Sequence, residues 1–575
     1  MKRSTYIWSL LVGCVAFATS CDLTEDVQVK ADKSMIFGSK SGLELYSNSF
    51  YKALPTLKNG FMQDKMCDVG AVSNTDTFIK QGAYNTETAT SWSWGALKNV
   101  NYFIDGCNDP KYCTVEAETR DNYLGIARWF RAWFYYDKLT TYGEVPWFPN
   151  DIQSYQNDVM YKDRDSRDVI IRNLIADLDF AYEHIQATSS TGSATLTRWA
   201  AAALKSRVCL FEAAYRRYHN LTGLEITPEE LYREAAKAAK LVIDNSGCSL
   251  NTAAGKKGAY RDLFYSETPL TQEVILAVCA NEKSGIFGEQ NWWFNARSYG
   301  LCWSLVRSFV HTYLKQDGTP FTAAADYAVK SFAEEMEGRD LRLEQTVRGR
   351  NFLWDGKTAV ADIKNLSLTG YQVIKYTLDE SKYDGGAKNI NSIPLIRYAE
   401  VLLNYAEAQA ELGVITDSEW ALTVGALRKR AGITGGTETL PTTVDSYLQR
   451  TFYPDVTSPV LLEIRRERAI ELVAEGMRFD DLRRWKCGSL METLPWSGIH
   501  IPGLEQPVDV NGDGVNDYYF TEGEVASAPA AYKNIAVRVN QDGVGLYAEA
   551  NPVSGYDLVY KTGAGDRYWY PDGRQ

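Results

Sequence analysis

The sequence predicts a mainly α-helical protein, and three observations support that prediction. The first is residues 461–485, whose apolar residues Leu461, Ile464, Ala469, Leu472 and Val473, then Phe479, Leu482 and Trp485, recur at helical spacing on both sides of Gly476. That pattern makes two amphipathic helices. The second is a set of further segments with the same period, 122–143, 166–185, 197–215, 228–243, 393–413 and 417–430. The third is a contrast: residues 246–391 hold more Gly, Thr, Asp and aromatic residues and only short strand-like pieces.

In chain order, residues 22–40 are polar and read as a tether. Helical patterning starts near Gly42 and takes in the run Trp94-Gly-Ala-Leu-Lys-Asn-Val-Asn101. Residues 122–143 give wide helical coverage through Leu124, Ala127, Trp129, Phe130, Trp133, Phe134 and Leu139, ending at Gly143 with Pro146 just beyond. Trp129 and Trp133 have the flat faces a sugar needs, but they stand four residues apart on this stripe and are expected in the core. Ser166 opens the next helix, Ala200 to Ala203 allow close helix contact in the one after, and Thr227-Pro228 make an N-cap and first turn. In 393–413, Ala399, Leu402, Leu403, Ala406 and Ala410 form the buried stripe, with Glu400, Asn404, Glu407 and Glu411 on another face. Residues 417–430 pack back as its partner, and 461–485 completes the last pair. Eight helices thus form four hairpins, although no clean 34-residue self-repeat is present. Glu467, Glu471 and Glu475 stand four residues apart and would repel one another, so Arg465, Arg466, Arg468 and Arg478, or a neighbouring element, must offset them.

Three runs are similar to one family: Glu-Ile-Arg-Arg-Glu-Arg-Ala-Ile-Glu-Leu-Val-Ala-Glu-Gly-Met-Arg-Phe-Asp-Asp-Leu-Arg-Arg-Trp at 463–485, Gly-Ile-Ala-Arg-Trp-Phe-Arg-Ala-Trp-Phe-Tyr-Tyr-Asp-Lys-Leu-Thr-Thr-Tyr-Gly-Glu-Val-Pro at 125–146, and Ile-Pro-Leu-Ile-Arg-Tyr-Ala-Glu-Val-Leu-Leu-Asn-Tyr-Ala-Glu-Ala at 393–408. They resemble the SusD-like (RagB/SusD) outer-membrane nutrient-binding lipoproteins. Glu273 to Val278, 304–318, Arg339 to Arg342, and Thr369 to Tyr371 with Lys375-Tyr376 follow that family's landmarks in order. The resemblance implies four tetratricopeptide-like helix pairs in a right-handed superhelical scaffold, with an irregular, loop-rich ligand-binding region. The implied layout is a leader at 1–20, a lipid-anchored tether at 21–40 and a single body at 41–575. Within that body the scaffold covers about 41–245 and 393–490, the irregular region 246–392 and a C-terminal loop region 491–575. It also implies glycan capture without turnover, for delivery to a SusC-like TonB-dependent transporter. The end of the chain departs from the family: Tyr568-Trp-Tyr-Pro571 stands where relatives have a Tyr-Leu-Trp-Pro-Ile-Pro type segment, which puts the usual C-terminal packing in doubt.

At 575 residues, 45% apolar and 13% aromatic, the chain can bury a large core. Its formal charge of −12 becomes −14, 59 basic against 73 acidic residues, if Lys2 and Arg3 leave with a leader, and this argues against nucleic acid as a partner. The start reads as an export signal: Lys2 and Arg3, an apolar run from Tyr6 to Phe17, then Ala18, Thr19 and Ser20 before Cys21. Cys21 is the expected lipidation site and outer-membrane anchor; Cys14, after Leu-Val-Gly, is the alternative. No later apolar run approaches the ~18 residues of a membrane span. The remaining cysteines match no zinc spacing. Cys107 and Cys113 could pair in an oxidising compartment, with buried free thiols the favoured state.

No nucleophile motif, zinc-protease motif or phosphate-binding glycine loop is present, and the four histidines are scattered. Sugars present apolar C–H faces and polar edges, so a binding site needs flat aromatics beside hydrogen-bonding groups. Asn291, Trp292, Trp293 and Arg297 supply both without helical apolar spacing, and Trp92 lies on an early loop near Asn74 and Asp76. These five form the expected ligand cradle, with Trp354 in reserve; local hydrophobic packing is the competing reading. Asp509, Asn511, Asp513, Val515 and Asp517, with Gly at the sixth position, match the start of a calcium loop, so calcium is an expected brace of the C-terminal region, with a solvated Asn-Gly-Asp turn as the alternative. The alternatives to glycan capture are a helical glycoside hydrolase, for which no carboxylate pair stands out, and a surface binder of peptides or glycoproteins.

Overall fold

A computed structural model describes residues 33–58, 64, 66–83, 91–153, 155–296 and 300–569. The short helices α1 (Lys33–Phe37) and α2 (Lys40–Ser47) lead to α3 (Gly95–Asn108), and then come the long α4 (Ala117–Tyr142), α5 (Arg167–His184), α6 (Arg198–Tyr218) and α7 (Pro228–Asn245). Their ends follow local chemistry. Gly143, at φ +75°, stops α4. The Ser166 hydroxyl caps α5, and Thr227 with Glu230 closes a capping box on α7. α4 packs on α5, α5 on α6 and α6 on α7, so the first four predicted helices form two consecutive hairpins. Small residues on α6 allow this: fully buried Trp129 stacks on Trp133 at 5.4 Å and donates its indole N–H to the Ala200 carbonyl at 3.1 Å. Asn101 is an anchor, donating from one amide to the Phe148 and Asn150 carbonyls.

After a loop-rich stretch containing the short helix α8 (Gln290–Asn295), the scaffold resumes with α9 (Tyr398–Glu411), α10 (Asp417–Leu422), α11 (Val424–Arg430), α12 (Pro459–Glu471) and α13 (Arg478–Arg484). α9 lies on α7 and α12, and α13 lies on α6. Two boundaries differ from the periodicity. The expected 393–413 helix opens as a strand, β6 (Ile393–Arg397), because its apolar run pairs antiparallel with β2 (Val274–Val278). The 417–430 helix breaks at Thr423, whose φ/ψ of −107°/−94° is not helical. Residues of the scaffold and of the irregular region contribute to one continuous hydrophobic core.

The acidic row is offset from outside rather than locally. Glu471, fully buried, accepts from Arg342 at 2.8 Å and Arg397 at 3.1 Å, and also pairs with Arg430. Glu475 pairs with Arg397 and Lys375, each at 2.7 Å, and Glu467 with Arg342 at 2.6 Å and Arg428 at 3.1 Å. The nearby arginines turn elsewhere: Arg468 to Asp481, Arg478 to Asp68, and Arg465 into rings of Tyr218, Tyr453 and Trp485. Burial alone would raise the Glu471 carboxyl, but Arg430, Arg397 and Arg342 together pull it well below the usual carboxylate range. The β2–β6 register sets Glu273 beside Arg397 at 2.7 Å, so the strand pair locks onto the same seam.

The C-terminal region carries β7 (Ser497–Ile501) in one sheet with β8 (Gly545–Ala550) and β9 (Tyr556–Lys561), in the order β8-β9-β7. The chain then returns to the scaffold. Gln81 donates to the Gly565 carbonyl, Tyr568 donates to that of Ile79, and Trp569 meets Phe479 edge-on at 6.2 Å. Gly488 makes this docking possible, since a Cβ there would stand 1.9 Å from the Trp569 ring.

Candidate functional site

The tryptophan pair sits on α8, so the segment read as non-helical is one short helix. Its inward face is Gln290, Asn291 and Phe294, all buried. Phe294 anchors it, meeting Trp303 edge-on at 6.4 Å and lying parallel to Tyr376 at 6.5 Å. Trp292 falls on the other side, while Trp293 stands at the edge of the buried face and packs against the core with its indole nitrogen buried; both rings are partly exposed, 5.5 Å apart with planes at 45°. Helix geometry thus divides one aromatic run into an anchor and a platform.

Asn291 is a strut rather than a ligand group. Its side-chain N–H donates to the Leu378 carbonyl at 2.7 Å and Asp384 Oδ1 at 3.2 Å, while its oxygen accepts from the Leu378 amide and the Asn389 side chain, each at 2.7 Å. The sequence showed an amide next to tryptophans but not that it faced an incoming loop. Asn295, one turn later, also donates to Asp384 Oδ1, at 3.1 Å. Asp384 was missed; the signal that could have found it is the Asn-x-x-x-Asn spacing on α8, which aims two amides at one point. Burial raises the Asp384 carboxyl above the ordinary range, with Asn295, Asn291 and Arg348 partly offsetting.

Loop 378–391, which holds Asp384, also fastens Trp354. A two-residue hairpin, β4 (Leu353–Trp354) and β5 (Lys357–Thr358), turns at Asp355 and Gly356 with φ of +49° and +72°, the positive pair that Asp-Gly favours. Asp355 donates its amide to Asp379 and accepts from that of Ser381. Trp354 lies near-parallel to Phe352 at 6.5 Å, and the buried Arg348 guanidinium approaches both rings, at 5.3 and 5.2 Å. Among the described residues Arg348 forms no ion pair, and burial lowers its pKa.

The early loop reaches this region by β-pairing. β1 (Gly70–Ala71) runs antiparallel to β3 (Ser304–Leu305), and Ser73 donates to the Leu301 carbonyl at 2.8 Å, while Leu301 donates to that of Trp293 at 2.8 Å. Trp92 is elsewhere: 42% exposed, it meets Trp94 and Tyr142 edge-on at 5.2 and 4.8 Å at the end of α4, under Arg164. Among the described residues no ring contact joins it to Trp292 or Trp293. Arg297 and Cys21 lie outside the described residues.

The histidines are occupied structurally. His184 and His219 bond to the Phe180 and Arg483 carbonyls, His311 to Glu335 and His500 to Asp557, the last two each at 3.0 Å. Cys107 and Cys113 are free thiols.

In the expected calcium loop, Gly512 and Gly514 take φ of +76° and +87°. Asp509 accepts from the amides of Gly512, Asp513 and Gly514, Asp513 from that of Val515, and Asp517 from that of Val510. Asn511 is buried and bonds to Asp513 at 3.1 Å. Among the described residues no three His, Cys, Asp or Glu side chains form a group that could hold a metal.

Among solved structures, a SusD-like carbohydrate binding protein from Bacteroides fragilis aligns with a TM-score of 0.66 at 19% identity, covering 94% of this chain and 98% of that one. A second SusD-like protein from Bacteroides fragilis aligns at 0.63 and 20%, covering 94% of each. A structure determined with xylogluco-oligosaccharide aligns at 0.51 and 18%, covering 79% and 85%. These likenesses establish the fold. No curated protein is significantly similar. The model of the SusD family matches residues 272–570, more than half of the sequence, and the chain therefore belongs to the SusD family.

Proposed function

We propose that this SusD-family protein captures oligosaccharides at the cell surface, held to the outer membrane through a lipid on Cys21, and passes them to a SusC-like TonB-dependent transporter. The observation that carries the reading is the half-buried Trp292–Trp293 platform, held rigid by a buried anchor and by a polar loop. A tryptophan face stacks on the C–H face of a sugar and adds on the order of 1 kcal/mol per ring. The neighbour determined with xylogluco-oligosaccharide supports the ligand class. Among the described residues no helix is long and apolar enough to cross a membrane, in keeping with attachment by a lipid. Binding, not turnover, is the proposed activity.

The test is retention of the protein on a panel of polysaccharides and glycopeptides, with supernatants checked for cleavage products. Retention by a glycan without products supports capture. Products identify a glycoside hydrolase instead, and retention by glycopeptides or peptides alone identifies a different class of receptor.

A further inference from the structure

We propose that the Arg348 guanidinium is a glycan-binding group, donating from its unfilled edge, at Nη2, to a hydroxyl oxygen of an uncharged sugar that lies beside Trp354. This rests on the glycan-capture reading above and adds a second contact point to it, with the ligand class that this point selects. Arg348 is only 6% exposed. Its Nη1 donates to the Val360 carbonyl at 3.1 Å, Nε is sealed without a partner, and Nη2 makes no hydrogen bond among the described residues. Elsewhere in the protein the same edge is filled: Nε and Nη2 hold two carboxylate oxygens in Arg131 with Asp177, both at 2.7 Å, and in Arg478 with Asp68, at 2.8 and 2.7 Å. An unfilled edge on a buried arginine is a donor whose direction is set in advance. Arg465 is the contrast. Its three guanidinium nitrogens are all sealed among the rings of Tyr218, Tyr453 and Trp485, whereas Nη2 of Arg348 is not sealed.

What Arg348 lacks is an acceptor rather than negative charge. Asp362, Asp384 and Asp379 face it, together with Tyr518, yet each is held by partners of its own. Asp362 accepts from the Asn365 amide and side chain at 3.1 to 3.2 Å, Asp384 from Asn291 and Asn295, and Asp379 from Arg261 at 2.9 and 2.6 Å. The Tyr518 hydroxyl donates to the Ala361 carbonyl at 2.6 Å. A uronate or a sulfate would bring one more negative charge to the three carboxylates already facing the arginine, whereas a neutral hydroxyl oxygen fills the donor without that repulsion. Trp354 supplies the apolar wall. Partly exposed on β4, it has Phe352 and the Arg348 guanidinium as its ring contacts among the described residues. Asp355, next to it, ties the hairpin to Asp379 and Ser381, while Asp384 and Asn389 of the same loop tie α8. Arg348 with Trp354 and the tryptophans of α8 therefore stand on one support.

The experiment is calorimetric titration of the full-length chain in detergent with neutral gluco-, xylogluco- and manno-oligosaccharides and with oligogalacturonate, for wild type, Arg348→Met and Trp354→Ala, with melting of each variant in parallel. At least one neutral oligosaccharide binds wild type and oligogalacturonate binds more weakly. Arg348→Met weakens the neutral ligand roughly tenfold or more, the loss expected for a hydrogen bond from a charged donor. Its melting temperature stays within about 2 °C of wild type, because methionine keeps the apolar stem and no ion pair is broken. An arginine of purely structural use would show the reverse, lower melting with binding retained. Trp354→Ala weakens the same ligand by a similar factor, and it decides the matter should Arg348→Met melt lower or fail to fold. The inference is overturned if Arg348→Met, with melting unchanged, binds within twofold of wild type, if Trp354→Ala does so where Arg348→Met is destabilised, or if oligogalacturonate is preferred; in each case glycan capture itself stands. Absence of binding by every sugar to a folded wild type overturns the capture reading, and this inference with it.

Discussion

The seam around α12 and the platform on α8 use the same kinds of side chain to opposite ends. At the seam, Glu467 and Glu471 are buried and Glu475 partly so, and each meets two or more cations drawn from distant segments. Trp485, on the same block, is buried, with its N–H donated to Glu407 at 2.9 Å. At the platform, Trp292 and Trp293 are half-buried, and Asp384 is oriented by two neutral amides and forms no ion pair among the described residues. Matched charge in a dry interior fixes which segments meet. Neutral hydrogen bonds beside a partly exposed ring fix a surface without closing it in matched charge.

The largest effect is expected where the match is broken. Glu471→Ala leaves Arg342, Arg397 and Arg430 short of a shared partner and should destabilise by roughly 3–5 kcal/mol, because the exposed cost is that of buried, unpaired cations. Denaturant unfolding measures it; a loss under about 1 kcal/mol would show that the seam is not what holds α12 to the β2–β6 pair.

Acid acts on the same principle through Glu335. It is buried against Arg307 at 2.9 Å, His311 at 3.0 Å and the Tyr371 hydroxyl. Burial alone would raise its pKa, and Arg307 and then His311 and Tyr371 bring it down to about 2. The folded carboxylate therefore binds its proton less readily than the unfolded one. The stabilisation is full above the unfolded value of 4.5 and is lost as pH falls from there toward about 2. At 1.36 kcal/mol per pKa unit this is roughly 3 kcal/mol. Stability curves of wild type and Glu335→Gln should converge across that window; parallel curves would remove Glu335 from the explanation.

The difference between the regions also decides what the sequence could show. Helices α4, α5, α6 and α7 were legible because a long apolar stripe is repeated many times over and capped by Ser166, Thr227 and Gly143. The acidic row at 467, 471 and 475 announced that partners were needed, but Arg342, Lys375, Arg397, Arg428 and Arg430 come from loops and elements far away in sequence, and spacing carries no record of which segments fold together. The platform was half legible. Trp292 and Trp293 stood out by composition. Composition offers Asn291 as a ligand group although loop 378–391 takes up its whole amide, and only the Asn-x-x-x-Asn spacing on α8 hints at the shared partner that Asp384 supplies. β6 was hidden inside a helical pattern because a short apolar run satisfies both periods.

On the open side, Trp292→Ala and Trp293→Ala should each weaken glycan binding about tenfold or more while lowering stability by no more than about 2 kcal/mol, since a half-buried ring gives up less on truncation than a core one. Paired calorimetry and melting check this. Trp129→Ala is the contrast, expected to cost about 3–5 kcal/mol from the core. Equal losses of stability at positions 129 and 292 would erase the distinction between packing and platform tryptophans.

The smallest effect is expected at the 509–517 loop, for which we propose calcium as a brace. Asp509 already accepts three loop amides, so the turn is shaped without a cation. Asp517 is raised by burial and then by Asp513 and Asp509, a repulsion that a divalent cation would relieve. With free calcium at tenfold its dissociation constant the gain is about 1.4 kcal/mol, or roughly 1 °C in a chain this long. Direct calcium titration of the chelated protein is the more sensitive measurement, with Asp513→Asn as the control. Saturable binding that this substitution removes would make the loop a third case between seam and platform, a cluster of like charge closed by a cation. Heat signals identical in wild type and Asp513→Asn would leave the loop as a turn held by its own amides, with Gly512 and Gly514 serving conformation alone.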